Sequence, residues 1–206
     1  MRRLIIIGAS GHGKVVADIA VLNGYRDIAF LDDDESVKQC GQYKVIGKST
    51  DAERLNDIQN SDFFVAIGNC KTREKIMSRL QEASLDVVRL IHPNAVIAKN
   101  TIIGAGTVIM AGVVINPDVE IGQGCIVNTG ATIDHDNKIS EFVHVSVGSH
   151  LAGTVEVGRY TWIGIGACVS NNVNVGEDCM IGAGAVVLKD LPNRITAVGV
   201  PATVIK

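Results

Sequence analysis

Hydrophobic and polar positions follow two different patterns along the chain, and the change falls near residue 90. In the first region, short aliphatic runs alternate with stretches whose apolar residues recur at helical spacing. Such alternation is typical of a parallel α/β unit, so we predict a Rossmann-like domain over residues 1–90. Its predicted strands are Leu4–Ile7, Ile28–Leu31, Phe63–Ile67 and Asp86–Ile91, and its predicted helices are Lys14–Leu22 and Thr72–Ala83.

From Ile91 to Val187, an aliphatic residue occupies every sixth position without an insertion. A helix repeats every 3.6 residues and a strand every two, whereas a three-sided β-solenoid places one short strand in each hexapeptide. Glycine often follows the aliphatic residue, as at Gly104 and Gly122, which suits tight corners. We therefore predict a parallel β-solenoid over residues 91–206, with three hexapeptides per coil and about five coils between residues 97 and 192.

In such a solenoid, residues one coil apart stack at the spacing of neighbouring strands, about 4.8 Å. The sequence can therefore be read as vertical columns, of which one is polar and two are largely apolar. These are the charged column of Ile102, Glu120, Lys138, Glu156 and Asn174, the Trp162 column of Val108, Ile126, His144, Trp162 and Met180, and the His150 column of Val114, Thr132, His150, Cys168 and Val186. Two apolar faces favour self-association, and we expect a closed ring of three copies.

The composition argues against several classes of partner. The formal net charge is -3 at pH 7, which gives no basic footprint for nucleic acid. No apolar run reaches the roughly 18 residues of a membrane-spanning helix, and the first residues lack a signal-peptide pattern, so we expect no membrane insertion and a cytoplasmic protein. The five cysteines have no CxxC spacing, so we expect neither a disulfide framework nor a bound metal.

The most polar cluster of the repeat region surrounds His135, which lies between Asp134 and Asp136. An imidazole beside a carboxylate suits a general base near pH 7, because Asp136 can hold the ring tautomer and stabilise the imidazolium. Acyl transfer from a thioester needs no covalent nucleophile, so one base and a backbone N–H for the oxyanion would suffice. The alternative is that His135 only ends a turn, with Asp136 solvated.

Two further residues bear on this cluster. Gly153 lies one coil above His135 and is predicted to open space beside the imidazole, where a ligand could approach closely. His144 lies half a coil away from His135 and points from another side of the prism. We therefore expect the two histidines to share one site only if adjacent subunits contribute them.

A glycine-rich segment, Gly8–Lys14, follows the first predicted strand and opens a helix. Unpaired N–H groups at a helix start suit a phosphate, although the spacing G-x-x-G-x-G differs from the dinucleotide pattern. Asp32 and Asp33 follow the second strand, where carboxylates commonly meet a ribose or a base edge. The alternative is a solvated acidic turn that also includes Asp34.

The repeat resembles that of the hexapeptide-repeat acyltransferases, which implies a left-handed parallel β-helix. The whole chain resembles the sugar O- and N-acetyltransferases of that family, which include the UDP-4-amino-sugar N-acetyltransferases of bacillosamine biosynthesis and the sialic acid O-acetyltransferases. The resemblance is carried by Gly-Ala-Ser-Gly-His-Gly-Lys at 8–14, Leu-Asp-Asp at 31–33, Ile-Gly-Asn at 67–69, His-Pro at 92–93, His135, His-Val-Ser-Val-Gly at 144–148 and Val-Gly-Val-Pro-Ala at 198–202. One departure is His135-Asp136, where the bacillosamine enzyme has His-Glu.

This resemblance implies a role for each candidate residue. It makes His135 the general base, and Asp136 is its partner. The residues implied to hold a nucleotide-linked amino sugar are Ser10, Gly11, His12, Lys14, Asp32 and Asp33, with Asn128 on the sugar. Acetyl-CoA is implied to lie in the groove between two solenoids of a homotrimer, near His144, Gly153, Ile165 and Ala183.

Several functions remain open at this point. The leading one is acetyl-CoA-dependent N-acetylation of a UDP-linked 4-amino-4,6-dideoxy sugar, and a GDP-linked perosamine fits the same residues. An O-acetyltransferase acting on sialic acid is the alternative within the family. A metal-dependent hydratase of the γ-carbonic-anhydrase type pairs its histidines as H-x4-H, a spacing that His144 and His150 lack. A non-catalytic nucleotide-sugar-binding protein would keep only the Gly8–Lys14 loop.

Overall fold

The computed structural model describes residues 2–55 and 58–206. The chain divides into two compact units, Met1–Ile91 and His92–Lys206. The first is an α/β unit with a parallel sheet, and the second is a parallel β-solenoid of about six turns. The predicted fold class is therefore confirmed.

The N-terminal unit contains six strands, two α-helices and two short 3-10 turns among its described residues. In chain order these are β1 (Arg3–Ile7), α1 (Gly11–Leu22), β2 (Ile28–Leu31), β3 (Gln39–Cys40), β4 (Tyr43–Lys44), the turns Ser49–Arg54 and Ile58–Asn60, β5 (Ser61–Val65), α2 (Cys70–Glu82) and β6 (Leu90–Ile91). A parallel sheet forms in the order β2-β1-β5. Residues Leu4–Ile7 of the central strand are at most 1% exposed, as expected for a parallel sheet covered on both sides.

Five of the six elements predicted in this unit have different bounds in the structure; β5, for example, covers Ser61–Val65 instead of Phe63–Ile67. α1 begins at Gly11, because the Lys14 N–H donates to the Ser10 carbonyl and closes the first turn. α2 begins at Cys70, because the Asn69 side chain accepts from the Thr72 N–H at 2.9 Å. The strand predicted from Asp86 is restricted to Leu90–Ile91, preceded by a single bridge from Val87 to Phe63.

The solenoid consists of two-residue strands separated by short corners, except for one three-residue strand near its end. The strands are β7 (Val96–Ile97), β8 (Ile102–Ile103), β9 (Val108–Ile109), β10 (Val114–Ile115), β11 (Glu120–Ile121), β12 (Ile126–Val127), β13 (Thr132–Ile133), β14 (Lys138–Ile139), β15 (His144–Val145), β16 (His150–Leu151), β17 (Glu156–Val157), β18 (Trp162–Ile163), β19 (Cys168–Val169), β20 (Asn174–Val175), β21 (Met180–Ile181), β22 (Val186–Val187), β23 (Thr196–Val198) and β24 (Thr203–Val204). The turn number exceeds the predicted five because strands flank the region 97–192 at both ends.

The strands stack into three faces in which each residue pairs with the residue 18 positions away, for example Thr132 with His150 and Ile133 with Leu151. The charged face contains β8, β11, β14, β17 and β20, and the His150 face contains β7, β10, β13, β16, β19 and β22. The Trp162 face contains β9, β12, β15, β18 and β21, continued by β23 and β24. The second residue of nearly every strand points inward, and Ile133 is 0% exposed.

One expectation about the faces is only partly met. Val108 and Ile126 on the Trp162 face are 0% and 1% exposed within the single chain, so this part needs no second copy to cover it. Other apolar residues remain exposed. Met180, on the same face, is 44% exposed, and Val96, on the His150 face, is 64% exposed.

The corner after the His150 face is built differently from a glycine corner. In four successive coils its left-handed backbone position, with φ between 57° and 59°, is occupied by Asp118, Asp136, Thr154 and Asn172. Asp and Asn tolerate this conformation better than most residues. The corner therefore carries side chains where glycine would carry none, and one of its members follows His135.

Candidate active site

The solenoid corner that follows β13 presents His135 and Asp136 as a hydrogen-bonded pair. His135 Nδ1 lies 2.7 Å from Asp136 Oδ2, and the two side chains are 53% and 57% exposed. The hydrogen bond to Asp136 raises the pKa of His135 above its usual value. Because the carboxylate holds Nδ1, Nε2 is the ring atom available to accept a proton.

Asp134 ties this corner to the coil below. Its Oδ1 accepts from the His135 N–H at 2.9 Å and from Asn116 Nδ2 at 2.6 Å. The Asn116 hydrogen bond keeps the pKa of Asp134 below its usual value, so Asp134 is a carboxylate at neutral pH. Its position fixes the main chain immediately before the imidazole.

Gly153 lies directly beside the imidazole, and the ring itself fills the space that sequence analysis assigned to a ligand. A Cβ atom on Gly153 would lie 2.5 Å from His135 Cε1 and 2.6 Å from Nε2. Contacts this short are essentially never made by real Cβ atoms, so the ring could not keep its position over any other residue. Gly153 thus determines where the His135 ring lies.

A second cluster surrounds His144 on the Trp162 face. His144 is 7% exposed, and its Nε2 lies 3.2 Å from Asn128 Nδ2. Since an amide NH2 can only donate, Nε2 accepts in this arrangement and the ring proton belongs on Nδ1. The Trp162 ring packs against the imidazole at 4.3 Å between centroids, and its Nε1–H donates to Ser146 Oγ at 2.7 Å.

The residues expected near acetyl-CoA separate into two groups. His144 lies on the Trp162 face, and Ile165 and Ala183 follow strands of the same face one coil apart, where the Gly184 N–H donates to the Ile165 carbonyl. Ile165 is 61% exposed. Gly153 instead belongs to the corner of His135, on another side of the same prism.

The glycine-rich loop of the N-terminal unit connects β1 to α1. Gly8 has φ +109°, and a Cβ on it would lie 2.7 Å from the Ala66 carbonyl, so the loop closes tightly against the strand end. Ser10 occupies the N-cap of α1 but its side chain makes no capping hydrogen bond. Backbone N–H groups in the first turn are therefore available to an anion.

His12 is half-buried, and its Nε2 is enclosed without a hydrogen-bond partner among the described residues. Burial, assisted by nearby Arg73, lowers the pKa of His12 to about 4, so the ring is neutral at pH 7. Arg73, which sequence analysis did not single out, is only 1% exposed and donates to the carbonyls of Ile67 and Gly68. The signal for it was its position four residues after Asn69, at the start of the helix that follows Ile-Gly-Asn.

The two predicted nucleotide carboxylates are both engaged within the N-terminal unit. Asp32 accepts from the Ala9 N–H at 2.6 Å and from the Asp34 N–H at 2.9 Å. Asp33 accepts from the N–H and the hydroxyl of Ser49, at 2.8 and 3.0 Å. Asp33 and Asp34 are also exposed, so this acidic turn is both hydrogen-bonded and in contact with solvent.

A pocket of about 470 Å³ opens in the same unit. Its polar lining includes Asp32, Asp34, Glu35, Lys38 and Lys48. Asp32 thus borders this pocket while it holds the glycine-rich loop.

The described residues contain neither a metal-binding cluster nor a membrane-spanning helix. Within 2–55 and 58–206, no three His, Cys, Asp or Glu side chains are grouped so as to hold a metal ion. In that same part of the chain, no helix has the length and apolar character needed to cross a membrane.

Comparison with known families matches both units. Residues 3–80 match the PglD N-terminal domain, and residues 100–135 match the bacterial transferase hexapeptide (six repeats). A stretch of 110 residues is 39% identical to UDP-N-acetylbacillosamine N-acetyltransferase of Bacillus subtilis (strain 168), covering 52% of this chain and 50% of that protein. The match thus spans about half the length of this curated relative.

Solved structures match over nearly the entire chain. The acetyltransferase domain of PglB from Neisseria gonorrhoeae FA1090, in complex with acetyl coenzyme A, is 40% identical over 99% of both chains, with a TM-score of 0.95. A mutant of perosamine N-acetyltransferase from Caulobacter crescentus, in complex with CoA and GDP-perosamine, is 37% identical over 99% of this chain and 97% of that one. Its TM-score is also 0.95.

Proposed function

Because the chain belongs to the sugar O- and N-acetyltransferases of the hexapeptide-repeat family, we propose that it acetylates the 4-amino group of a nucleotide-linked 4-amino-4,6-dideoxy sugar, with acetyl-CoA as the donor. The names of its relatives support N-acetylation, since those proteins are N-acetyltransferases of bacillosamine and perosamine. The observation that carries the proposal within this chain is the His135–Asp136 pair at an exposed solenoid corner.

In the proposed reaction, His135 acts as general base and no covalent enzyme intermediate forms. The acceptor nitrogen attacks the thioester carbonyl carbon and forms the C–N bond, while His135 Nε2 takes up the proton that the nitrogen loses. Asp136 stabilises the resulting imidazolium. A backbone N–H near Gly153 is the proposed donor to the oxyanion. Collapse of the tetrahedral species breaks the C–S bond, and the CoA sulfur leaves with the proton that the His135 imidazolium returns, which restores the neutral base.

The nucleotide is proposed to bind at the N-terminal unit. The uncapped start of α1, at Ser10 and Gly11, supports a phosphate site, with Lys14 adding charge. The pocket beside Asp32 suits the nucleoside. His12 and Asp33 are proposed to contact the same ligand, since His12 Nε2 has no hydrogen-bond partner among the described residues and Asp33 is exposed. Asn128 is proposed to meet the sugar. UDP is proposed as the nucleotide, since the curated relative is named for it, with GDP as the alternative that the perosamine complex favours.

Acetyl-CoA is proposed to lie along the Trp162 face of one subunit and the His135 corner of another, in a homotrimer. The separation of His144, Ile165 and Ala183 from Gly153 on different sides of one prism supports this arrangement, because a single chain does not bring the two groups together. Exposed apolar residues on the His150 face also favour association. A sedimentation mass of one 21.8 kDa chain would contradict the trimer. The cytoplasmic location stays a prediction.

The first test replaces the base. Since general-base catalysis contributes about 10²–10⁴-fold, His135→Ala is expected to lower kcat by at least about a hundredfold, with acetyl-CoA affinity by calorimetry changed less than about twofold. Release of CoA thiol is measured with UDP- and GDP-linked 4-amino sugars and with free sialic acid. His135→Asn serves as the control that retains a polar side chain.

Three results would contradict the proposal in distinct ways. Full activity of His135→Ala would remove the base assignment. Turnover of sialic acid alone would move the acceptor from an amine to a hydroxyl. Binding of a nucleotide sugar without any binding of acetyl-CoA would support a non-catalytic binding protein.

A further inference from the structure

Asn137 occupies an interior position of the solenoid where the two adjacent coils have valine, and it does so in the coil that carries His135. The coils directly below and above place Val119 and Val155 at this position, and both are 0% exposed. Asn137 is also 0% exposed. A buried amide must find hydrogen-bond partners or lose free energy relative to valine, so its presence calls for a compensating role.

Other buried polar residues at the same step of the hexapeptide provide a reference. Thr107, Ser149 and Thr161 each donate a hydroxyl proton to a carbonyl 15 residues further on. These acceptors are Gly122, Gly164 and Gly176, at 2.8, 2.7 and 2.6 Å. Asn137 Nδ2 makes the equivalent bond to the Ala152 carbonyl at 2.8 Å. This shared bond fastens one coil to the next.

The amide of Asn137 also reaches back into its own corner, which the hydroxyl groups do not. Nδ2 lies 2.8 Å from the Asp134 carbonyl and 3.2 Å from the His135 carbonyl. These oxygens belong to the two peptide groups on either side of the His135 Cα. The two N–H bonds of Nδ2 are therefore shared among three carbonyls, while Asn137 Oδ1 is buried without a hydrogen-bond partner among the described residues.

The third carbonyl, that of Ala152, belongs to the coil against which the His135 imidazole packs. Ala152 directly precedes Gly153, whose Cα faces the ring of His135. Asn137 Nδ2 is thus hydrogen-bonded both to the two peptide groups that flank the His135 Cα and to the backbone of the adjacent coil, against which the His135 ring packs. Because Asn137 Oδ1 has no hydrogen-bond partner among the described residues, we attribute the presence of this side chain to the hydrogen bonds of its Nδ2 and not to stability alone.

We propose that Asn137 is a positioning residue that fixes the main chain of His135 relative to Gly153 and so aims the base at the acceptor amine. This inference rests on the proposed function of His135. Asn137 touches no substrate in this scheme, because it lies inside the prism. Its effect is expected in the chemical step, since small misplacements of a catalytic group lower kcat strongly.

Two substitutions separate the hydrogen bonds to the Asp134 and His135 carbonyls from the hydrogen bond between coils. Asn137→Val restores the residue type of the neighbouring coils and removes every bond of the amide. Asn137→Ser retains one hydroxyl that can bond the Ala152 carbonyl as Ser149 bonds Gly164, but it cannot hold the two carbonyls around His135 as well. Both variants are expected to lower kcat by about tenfold or more, with KM for acetyl-CoA within about twofold of the parent.

Thr107→Val is the matched control, because it removes a bond between coils at a corner distant in sequence from His135. Its kcat is expected within about twofold of the parent at temperatures below its Tm. A parent-like kcat in Asn137→Val, full recovery in Asn137→Ser, or an equal loss in Thr107→Val would overturn the positioning role. If His135→Ala is inactive while Asn137→Val is fully active, this inference fails and the proposed base stands.

Discussion

The two units of the chain position polar side chains by different means. In the solenoid, every residue has neighbours 18 positions before and after it in nearly the same environment, as Ile133 has in Ile115 and Leu151. In the N-terminal unit no element is repeated, and loops hold one another through individual hydrogen bonds such as Asp32 to Ala9. A functional residue therefore stands out in the solenoid as a departure from its column, whereas the N-terminal unit offers no column for comparison.

The difference also concerns tolerance to change. A residue in the solenoid is constrained by the coil stacked against it, so even one added carbon atom can clash with that coil. An N-terminal loop is constrained by a few hydrogen bonds, so losing one lowers stability without a clash. Substitutions at the two kinds of site should therefore fail in different ways.

The largest effect is expected at Gly153. In Gly153→Ala, the new Cβ would meet the His135 ring at about 2.5 Å, so the ring must move and kcat should fall by about a hundredfold. Steady-state turnover provides the measurement, with acetyl-CoA affinity measured in parallel. The same substitution in a His135→Ala background removes the clash, so any loss of Tm caused by Gly153→Ala should disappear there. An equal loss of Tm in both backgrounds would mean that the ring is not what the alanine meets.

An intermediate effect is expected at Asp32 in the N-terminal unit. Asp32→Ala removes an acceptor for two backbone N–H groups, which should lower the free energy of unfolding by about 1–3 kcal/mol. Thermal unfolding measures this, and Asp18→Ala, an exposed position on α1, should change it by less than about 0.5 kcal/mol. Equal Tm values for the two variants would contradict a structural role for Asp32.

The smallest effect is expected in the pH profile, because the His135–Asp136 pair is largely exposed and screened by solvent. The base acts when its ring is neutral, and the Asp136 hydrogen bond raises its pKa. The acidic limb of kcat/KM should therefore lie above the usual imidazole value, with activity rising as pH increases through it. Asp136→Asn should move that limb to lower pH. A limb that stays in place would separate Asp136 from the titration of the base.

The solenoid could be predicted in detail because its period leaves few choices. The sixfold spacing placed Ile133 inside, Thr132 outside and Gly153 beside His135, and each of these positions is present in the structure. The burial of Val108 and Ile126 could not be predicted, since it depends on what else the chain packs over that face. The three hydrogen bonds of Asn137 Nδ2 could not be predicted from the repeat either, because they depend on the length of this side chain and on how deep it lies inside the prism.

The N-terminal unit was predictable at the level of its parallel strands but not of its side-chain contacts. β2 has the predicted bounds, and the sheet is parallel. That Asp33 accepts from Ser49 depended on a loop that returns 16 residues later, which local propensity does not encode. The low pKa of His12 likewise depends on its burial and on Arg73, which is distant in the chain.

The 18-residue stride also constrains how such a protein can change length in evolution. Tandem duplication of a whole coil leaves every other side chain on its own face, so the prism can grow or shrink while the corner of His135 retains its neighbours. An insertion of one hexapeptide would rotate all later residues by one face and separate that corner from the column above it. A change in chain length that preserves this corner should therefore add or remove complete coils.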